Sequence, residues 1–248
     1  MWMWWKQQRL CLCLNSCFIY SLSDYWSRKS IKKPGHPGFS FLMHLFCKYG
    51  IMNLVIKMIL MKDIVREGNP ILRQKAEEVK LPLSEEDKLT LVSMLKYLMD
   101  SNDPKISEQY GLRPGVGLAA PQIGISKRMF VIFGKDLAGK MHILPLINPV
   151  ILSHSKEMTY LPYGEGCLSV DRETHGLTPR YKEVKIKAHY FDVKTGKVSE
   201  RTYNLKDFIS IVFQHENDHL DGVLYVDTMK DELPNMKPLY EIKKETAK

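Results

Sequence analysis

Residues Asn204–Gly222 read NLKDFISIVFQHENDHLDG, and this stretch decides the fold. Leu205, Phe208, Ile209, Val212 and Phe213 recur at i, i+3, i+4, i+7 and i+8, the spacing of one apolar helical face. Asn204 reads as the N-cap of that helix and Gly222 as its stop. Directly upstream, Val184, Ile186, Ala188 and Tyr190 alternate with Lys185, Lys187 and His189, the period-two pattern of a half-buried strand. Lys194–Lys197 (KTGK) supplies a turn and Val198–Tyr203 alternates again, so 182–203 reads as a β-hairpin. Further outward, residues 128–133 and 142–151 are strand-like, and 101–117 (SNDPKISEQYGLRPGVG) reads as a long polar loop. Ser84 ahead of Glu85, Glu86 and Asp87 predicts a helix over 85–100 that carries Leu91, Leu95, Leu98 and Met99. The sum is an α+β fold of short, mostly antiparallel strands packed around a central helix.

That central helix carries Gln214-His215-Glu216-Asn217-Asp218-His219. Histidines four apart stand on one helical face, as two imidazoles converging on one metal ion require. A glutamate directly after the first histidine can reach a metal-bound water and take its proton. The plainer reading, two surface histidines on a solvated turn, is weakened by the apolar stripe that leads straight into them. Two imidazoles need a third ligand, and no histidine follows His219. Asp221, Asp227, Asp231 and Glu232 are available acids, and Cys167, in Tyr163–Val170 (YGEGCLSV), is a soft alternative. A thiolate with two imidazoles would leave a fourth position open for water. Gly115–Gly124 (GVGLAAPQIG) is weak as a nucleotide loop, because Pro121 and Gln122 stand where a helix should be established. It reads alternatively as a tight backbone run beside a peptide substrate, with the Gln122 amide aimed inward.

The chain has 248 residues, 44% hydrophobic and 26% charged, which excludes a wholly disordered or collagen-like protein. Its net charge of +8 invites a nucleic-acid-binding reading. Residues 1–60, however, hold eight Lys/Arg against the single acid Asp24, leaving 28 basic and 27 acidic residues in 61–248. All four tryptophans and Cys11, Cys13, Cys17 and Cys47 also lie in the first segment. Cys167 is then the one cysteine of 61–248, so no disulfide forms within it and a reducing compartment is expected. Residues 10–22 resemble a signal peptide only faintly, since Asn15 and Ser16 interrupt the apolar run and no cleavage site follows. We expect residues 1–60 to be an extension or a mis-set start, with Met52, Met58 or Met61 as initiator, and 61–248 to be the catalytic domain.

Taken together and in order, GVGLAAPQIG (115–124), EGCLSV (165–170) and QHENDHLDG (214–222) resemble the three signature motifs of the peptide deformylase family, in its Gram-positive-like form. The resemblance implies a bacterial, cytoplasmic hydrolase that removes the N-formyl group from formyl-methionyl nascent peptides and releases formate. It implies Cys167, His215 and His219 as ligands of one Fe2+ per chain, replaceable by Ni2+, Co2+ or Zn2+. Glu216 would move the proton, and the Gln122 amide and Leu168 N–H would stabilise the oxyanion. Val116, Gly117, Glu165 and Gly166 would contact substrate, with Tyr163 and the Ile211–Val212 turn near the methionine pocket. Asp218 would face Arg180, and Asn217 departs from the apolar residue usual at that place. A monomer is implied, with transient ribosome contact, no membrane association and no specific nucleic acid bound by the catalytic domain. The rival readings are a general metalloprotease of the same helix type and a basic nucleic-acid binder.

Overall fold

The computed structural model describes residues 57–241, so the apolar run 10–22 and the basic stretch 28–33 lie outside the described residues. Its main sheet uses β1 (Gly117–Ala119), β2 (Met129–Lys135), β3 (Met141–His154), β6 (Glu183–Phe191) and β7 (Val198–Lys206) in the order β1-β2-β3-β6-β7, every pair antiparallel. A smaller sheet joins β4 (Met158–Tyr160) to β5 (Arg180–Tyr181) and, in parallel, to β8 (Lys237–Pro238). The helices are α1 (Glu85–Ser101), α2 (Pro104–Tyr110), α3 (Asp207–Leu220) and α4 (Tyr225–Thr228). Among the described residues no helix is long and apolar enough to cross a membrane. The α+β architecture read from the sequence is the one observed.

The strand β2 explains how the layers meet. Met129 and Val131 join the cluster that holds Leu91, Met94 and Leu98 of α1, whereas Phe130 and Ile132 join the one that holds Ile209, Val212 and Phe213 of α3. Successive side chains of a strand point to opposite faces, so a strand covered on both reads as an unbroken apolar run. Phe130 and Phe213 meet edge to face at 5.5 Å. In β6, Val184, Ile186 and Ala188 are buried between exposed Lys185 and Lys187, so the hairpin turns one face inward. Packing also begins before Met61, because Ile59 is 4% exposed within the α1 cluster.

Two expectations need correction. Asn204 does not cap the helix: β7 continues to Lys206, with Leu205 paired to Val184, and α3 starts at Asp207. Leu205 satisfies both patterns, since its place in the helical stripe is also the buried face of the strand. The switch occurs at Asp207, which takes a left-handed backbone at φ 51° that short polar residues tolerate. The segment 101–117 is not all loop either. Asp103 caps α2 by accepting from the Lys105 and Ile106 amides, Pro104 opens it, and Gly111 at φ 62° closes it. These are ordinary start and stop signals, obscured by a segment too polar and short to show an apolar stripe.

Candidate metal centre

Helix α3 brings its two histidines together at 5.0 Å between ring centroids, both buried. The third donor arrives from the loop after β4. There Gly164 at φ 75° leaves no room for a side chain, since a Cβ would lie 2.8 Å from the Gly176 carbonyl. The turn delivers Cys167, buried, with Sγ 3.3 Å from His219 Nε2. The Cys167, His215 and His219 donor atoms lie within 4.8 Å of one another, and this is the metal-capable cluster among the described residues. Of the acids left open as ligands, Asp221 pairs with Arg128 at 2.6 Å and Asp227 with Arg73 and the Leu224 amide, while Asp231 and Glu232 are exposed and outside the cluster. One thiolate with two imidazoles suits iron, cobalt, nickel or zinc and not magnesium or calcium, which prefer oxygen.

Charge is arranged behind the ligands. His215 Nδ1 lies 2.8 Å from Glu165 Oε2, which leaves Nε2 as its metal-facing nitrogen. Glu165 is gripped by Arg180 through Nε at 2.7 Å and Nη2 at 2.9 Å, and Arg180 Nη1 reaches Asp218 at 2.5 Å. The Asp218–Arg180 contact is the one expected. Burial alone would push the Glu165 carboxyl up, but Arg180 and His215 outweigh it and hold it down to about 2. Both Glu165 oxygens are thus taken inside the protein, and the carboxylate backs a ligand where the sequence reading placed it against substrate. Burial would likewise raise the Cys167 thiol, yet His219 and His215 hold it well below its ordinary range.

Glu216 is 4% exposed, its Oε2 has no hydrogen-bond partner, and burial pushes its carboxyl up to about 7. Its side chain lies over Gly117, where a Cβ would approach Glu216 Cδ to 2.6 Å. Gln122, in the turn Ala120–Ile123, accepts from the Ala119 amide through Oε1, which fixes its NH2 toward Cys167 Sγ at 3.3 Å and Ser169 Oγ at 3.4 Å. Leu168 follows Cys167 directly and its side chain is buried. The structure therefore brings Glu216, Gln122, Leu168 and Gly117 to the three ligands. Val116 is buried with Val212 in the α3 cluster, Gly166 is partly exposed beside Cys167, and Tyr163 is exposed. Asn217 lies apart, lining a separate cavity of about 450 Å³ with Arg128, Asn148 and Asp221.

Sequence reasoning passed over Tyr225, whose ring stacks on His215 at 5.8 Å and whose hydroxyl meets Thr174 Oγ1 at 2.9 Å. It also passed over Arg66 and Arg113, which bond to the carbonyls of the Cys167 loop. The arginine contacts span 54 and 102 residues and the Tyr225 stacking ten, and no local periodicity marks either.

Residues 61–235 match the polypeptide deformylase family. The chain belongs to this family. The peptide deformylase of Shouchella clausii is 54% identical over 183 residues, covering 73% of this chain and 97% of that protein. Peptide deformylase 2 of Bacillus cereus is 50% identical over 181 residues, 73% of this chain and 96% of that protein. Among solved structures, the actinonin-bound class I type b peptide deformylase of Acinetobacter baumannii aligns with a TM-score of 0.52 at 30% identity, covering 70% of this chain and 99% of that one. A probable peptide deformylase from Synechococcus phage S-SSM7 gives 0.52 at 32% identity, covering 66% and 97%. The activity is that of a peptide deformylase, a metallohydrolase of formylated nascent peptides, with Cys167, His215 and His219 as its metal site.

Proposed function

We propose that the chain hydrolyses the formyl amide of N-terminal formyl-methionine, releasing formate and a free amine, with Fe2+ as the resident metal and Ni2+, Co2+ or Zn2+ able to replace it. The observation that carries the mechanism is Glu216, a buried carboxylate with one free oxygen directly beside three metal-capable donors. A metal held there would supply a water acidic enough to attack an amide near neutral pH. Glu216 Oε2 is the group that would take up a proton there and give it to the departing amine nitrogen. Burial raises the Glu216 carboxyl above the ordinary carboxylate range, which favours its holding a proton between the two transfers. Gln122 Nε2 and the Leu168 N–H donate to the oxygen on which charge develops. Val116, Gly117 and Gly166 border the bound peptide.

Glu165 orients His215 through Nδ1 and so acts on the metal site from behind. We place the catalytic unit in 61–248, with buried Ile59 packed onto its core from just ahead of Met61, and the bulk of residues 1–60 as an extension to it. The family match over 61–235 and the composition break near residue 60 support this division. A monomeric cytoplasmic enzyme that meets nascent chains at the ribosome fits a single-cysteine unit of near-zero net charge.

The test is formate release from a formyl-Met tripeptide by anaerobically purified protein, with metal content measured on the same sample. Glu216→Ala is expected to keep its metal and lose turnover by ~10²–10⁴-fold. Full activity in that variant would overturn the assignment of Glu216. Cleavage of internal bonds in an unblocked peptide, without formate release, would reject the deformylase reading itself.

A further inference from the structure

Three consecutive carbonyls of the Cys167 loop accept from Arg113, Arg66 and the Glu67 amide. Arg113 Nη2 donates to the Cys167 carbonyl at 3.0 Å. Arg66 Nη1 donates to the Leu168 carbonyl, with Arg113 Nη1 a longer second donor at 3.5 Å. The Glu67 amide donates to the Ser169 carbonyl at 2.8 Å. Asp171 ties the two guanidiniums together, 2.5 Å from Arg113 Nη1 and 3.1 Å from Arg66 Nε. The segment that carries Arg66 and Glu67 also holds the Gln122 turn, because the Val65 amide donates to the Gln122 carbonyl at 2.8 Å.

The carbonyl and N–H of one trans peptide unit point in opposite directions in a single plane. Whatever holds the carbonyl therefore aims the N–H. The Leu168–Ser169 unit displays this directly: its carbonyl goes to Arg66 while its N–H points at Cys167 Sγ, 3.4 Å away. In the preceding unit the Cys167 carbonyl accepts from Arg113 at 3.0 Å and, at a longer 3.3 Å, from the Val170 amide, so the Leu168 N–H faces away from the arginines, and it has no hydrogen-bond partner among the described residues. A cationic donor on the carbonyl also polarises the amide and strengthens its N–H as a donor.

We infer that Arg113, backed by Arg66 and Asp171, is a positioning residue that aims the Leu168 N–H at the developing oxyanion. This rests on the reading of that N–H as an oxyanion donor. Arginine suits the task because its planar fork spans two carbonyls and a carboxylate at once, which a lysine ammonium at the end of a flexible stem does not reproduce.

The experiment is a double-mutant cycle on the full-length, metal-loaded enzyme, assayed with a formyl-Met tripeptide. Arg113→Met is one change. The other replaces Leu168 by its α-hydroxy acid analogue, which turns the Cys167–Leu168 amide into an ester, deleting the N–H and weakening the Cys167 carbonyl as an acceptor. Loss of one oxyanion donor typically lowers kcat by ~10²–10³, so the ester should fall in that range. Arg113→Met is expected to lower kcat ~10–100-fold, with KM within about twofold and metal stoichiometry unchanged. In the ester background the same substitution should cost less than about twofold more, because there is no N–H left to aim. Arg113→Lys should fall between wild type and Arg113→Met, and it substitutes for Arg113→Met in the cycle if that variant does not fold. An ester enzyme with normal kcat would overturn the oxyanion reading beneath the inference. A normal ester effect with unchanged kcat in both Arg113 variants would overturn the inference alone. So would an equal kcat loss in the amide and ester backgrounds, or a loss of metal that accounts for the lost activity.

Discussion

A methyl group on Gly117 would lie 2.6 Å from Cδ and 2.7 Å from Cγ of Glu216, so glycine at this position makes the space that the carboxylate fills. Gly117→Ala should leave Cys167, His215 and His219 in place and displace only Glu216, the proposed proton carrier. The expected result is full metal content with kcat lowered by at least ~10-fold, since a shift of about 1 Å in a reacting group can cost ~10² in rate. Metal analysis and steady-state kinetics on one preparation check both halves, and unchanged kcat would show that Glu216 moves aside at no cost. At this scale the sequence was informative where chemistry is carried by residue type at fixed spacing, as with His215, Glu216 and His219. It was uninformative about Glu165, whose role depends on Arg180, 15 residues away, and His215, 50 residues away.

Elements differ in how openly the sequence declares them. Helix α1 announces itself through Ser84, whose Oγ accepts from the Asp87 amide at 3.1 Å. Asn204 carries the same kind of signal at the start of the central helix but is paired with Lys185 in the β6–β7 ladder. The two sites give a direct comparison by urea unfolding. Ser84→Ala should cost about 1 kcal/mol, the usual loss of an N-cap, whereas Asn204→Ala should change stability by less than about 0.5 kcal/mol. Equal losses at both positions would mean that Asn204 acts as a cap after all. The ambiguity arose because an apolar residue at a strand–helix junction fits both periods, and only the pairing partner on β6 decides between them.

At the scale of the whole molecule, buried charge makes stability depend on pH. Glu165 has its carboxyl held at about 2 in the fold against an ordinary 4.5, so the folded state binds its proton more weakly than the unfolded state. Its contribution is then complete above about pH 4.5 and falls as pH drops from there towards 2. At ~1.4 kcal/mol per pKa unit the loss is on the order of a few kcal/mol. Acid unfolding followed by circular dichroism should show stability declining between pH 4.5 and 2, with the Glu165 contribution to that decline missing in Glu165→Gln. That variant is also expected to be less stable at neutral pH, because Arg180, 5% exposed, loses its main counter-charge. A variant as stable as the parent at pH 7 would show that Asp218 alone compensates Arg180.

The sequence by itself determined the fold class, the central helix with its paired histidines, and the residue types of the metal site. Those properties are written in local periodicity and in side-chain chemistry, which do not depend on distant partners. Residue types alone left Cys167 beside four downstream acids as the third ligand, the motif resemblance pointed to Cys167, and the tertiary structure brings its sulfur to 3.3 Å from His219 across 52 residues. Only the tertiary structure placed Arg66 and Arg113 on the carbonyls of the Cys167 loop. Contacts of that kind are set by how layers pack, and packing joins residues whose separation along the chain carries no signal.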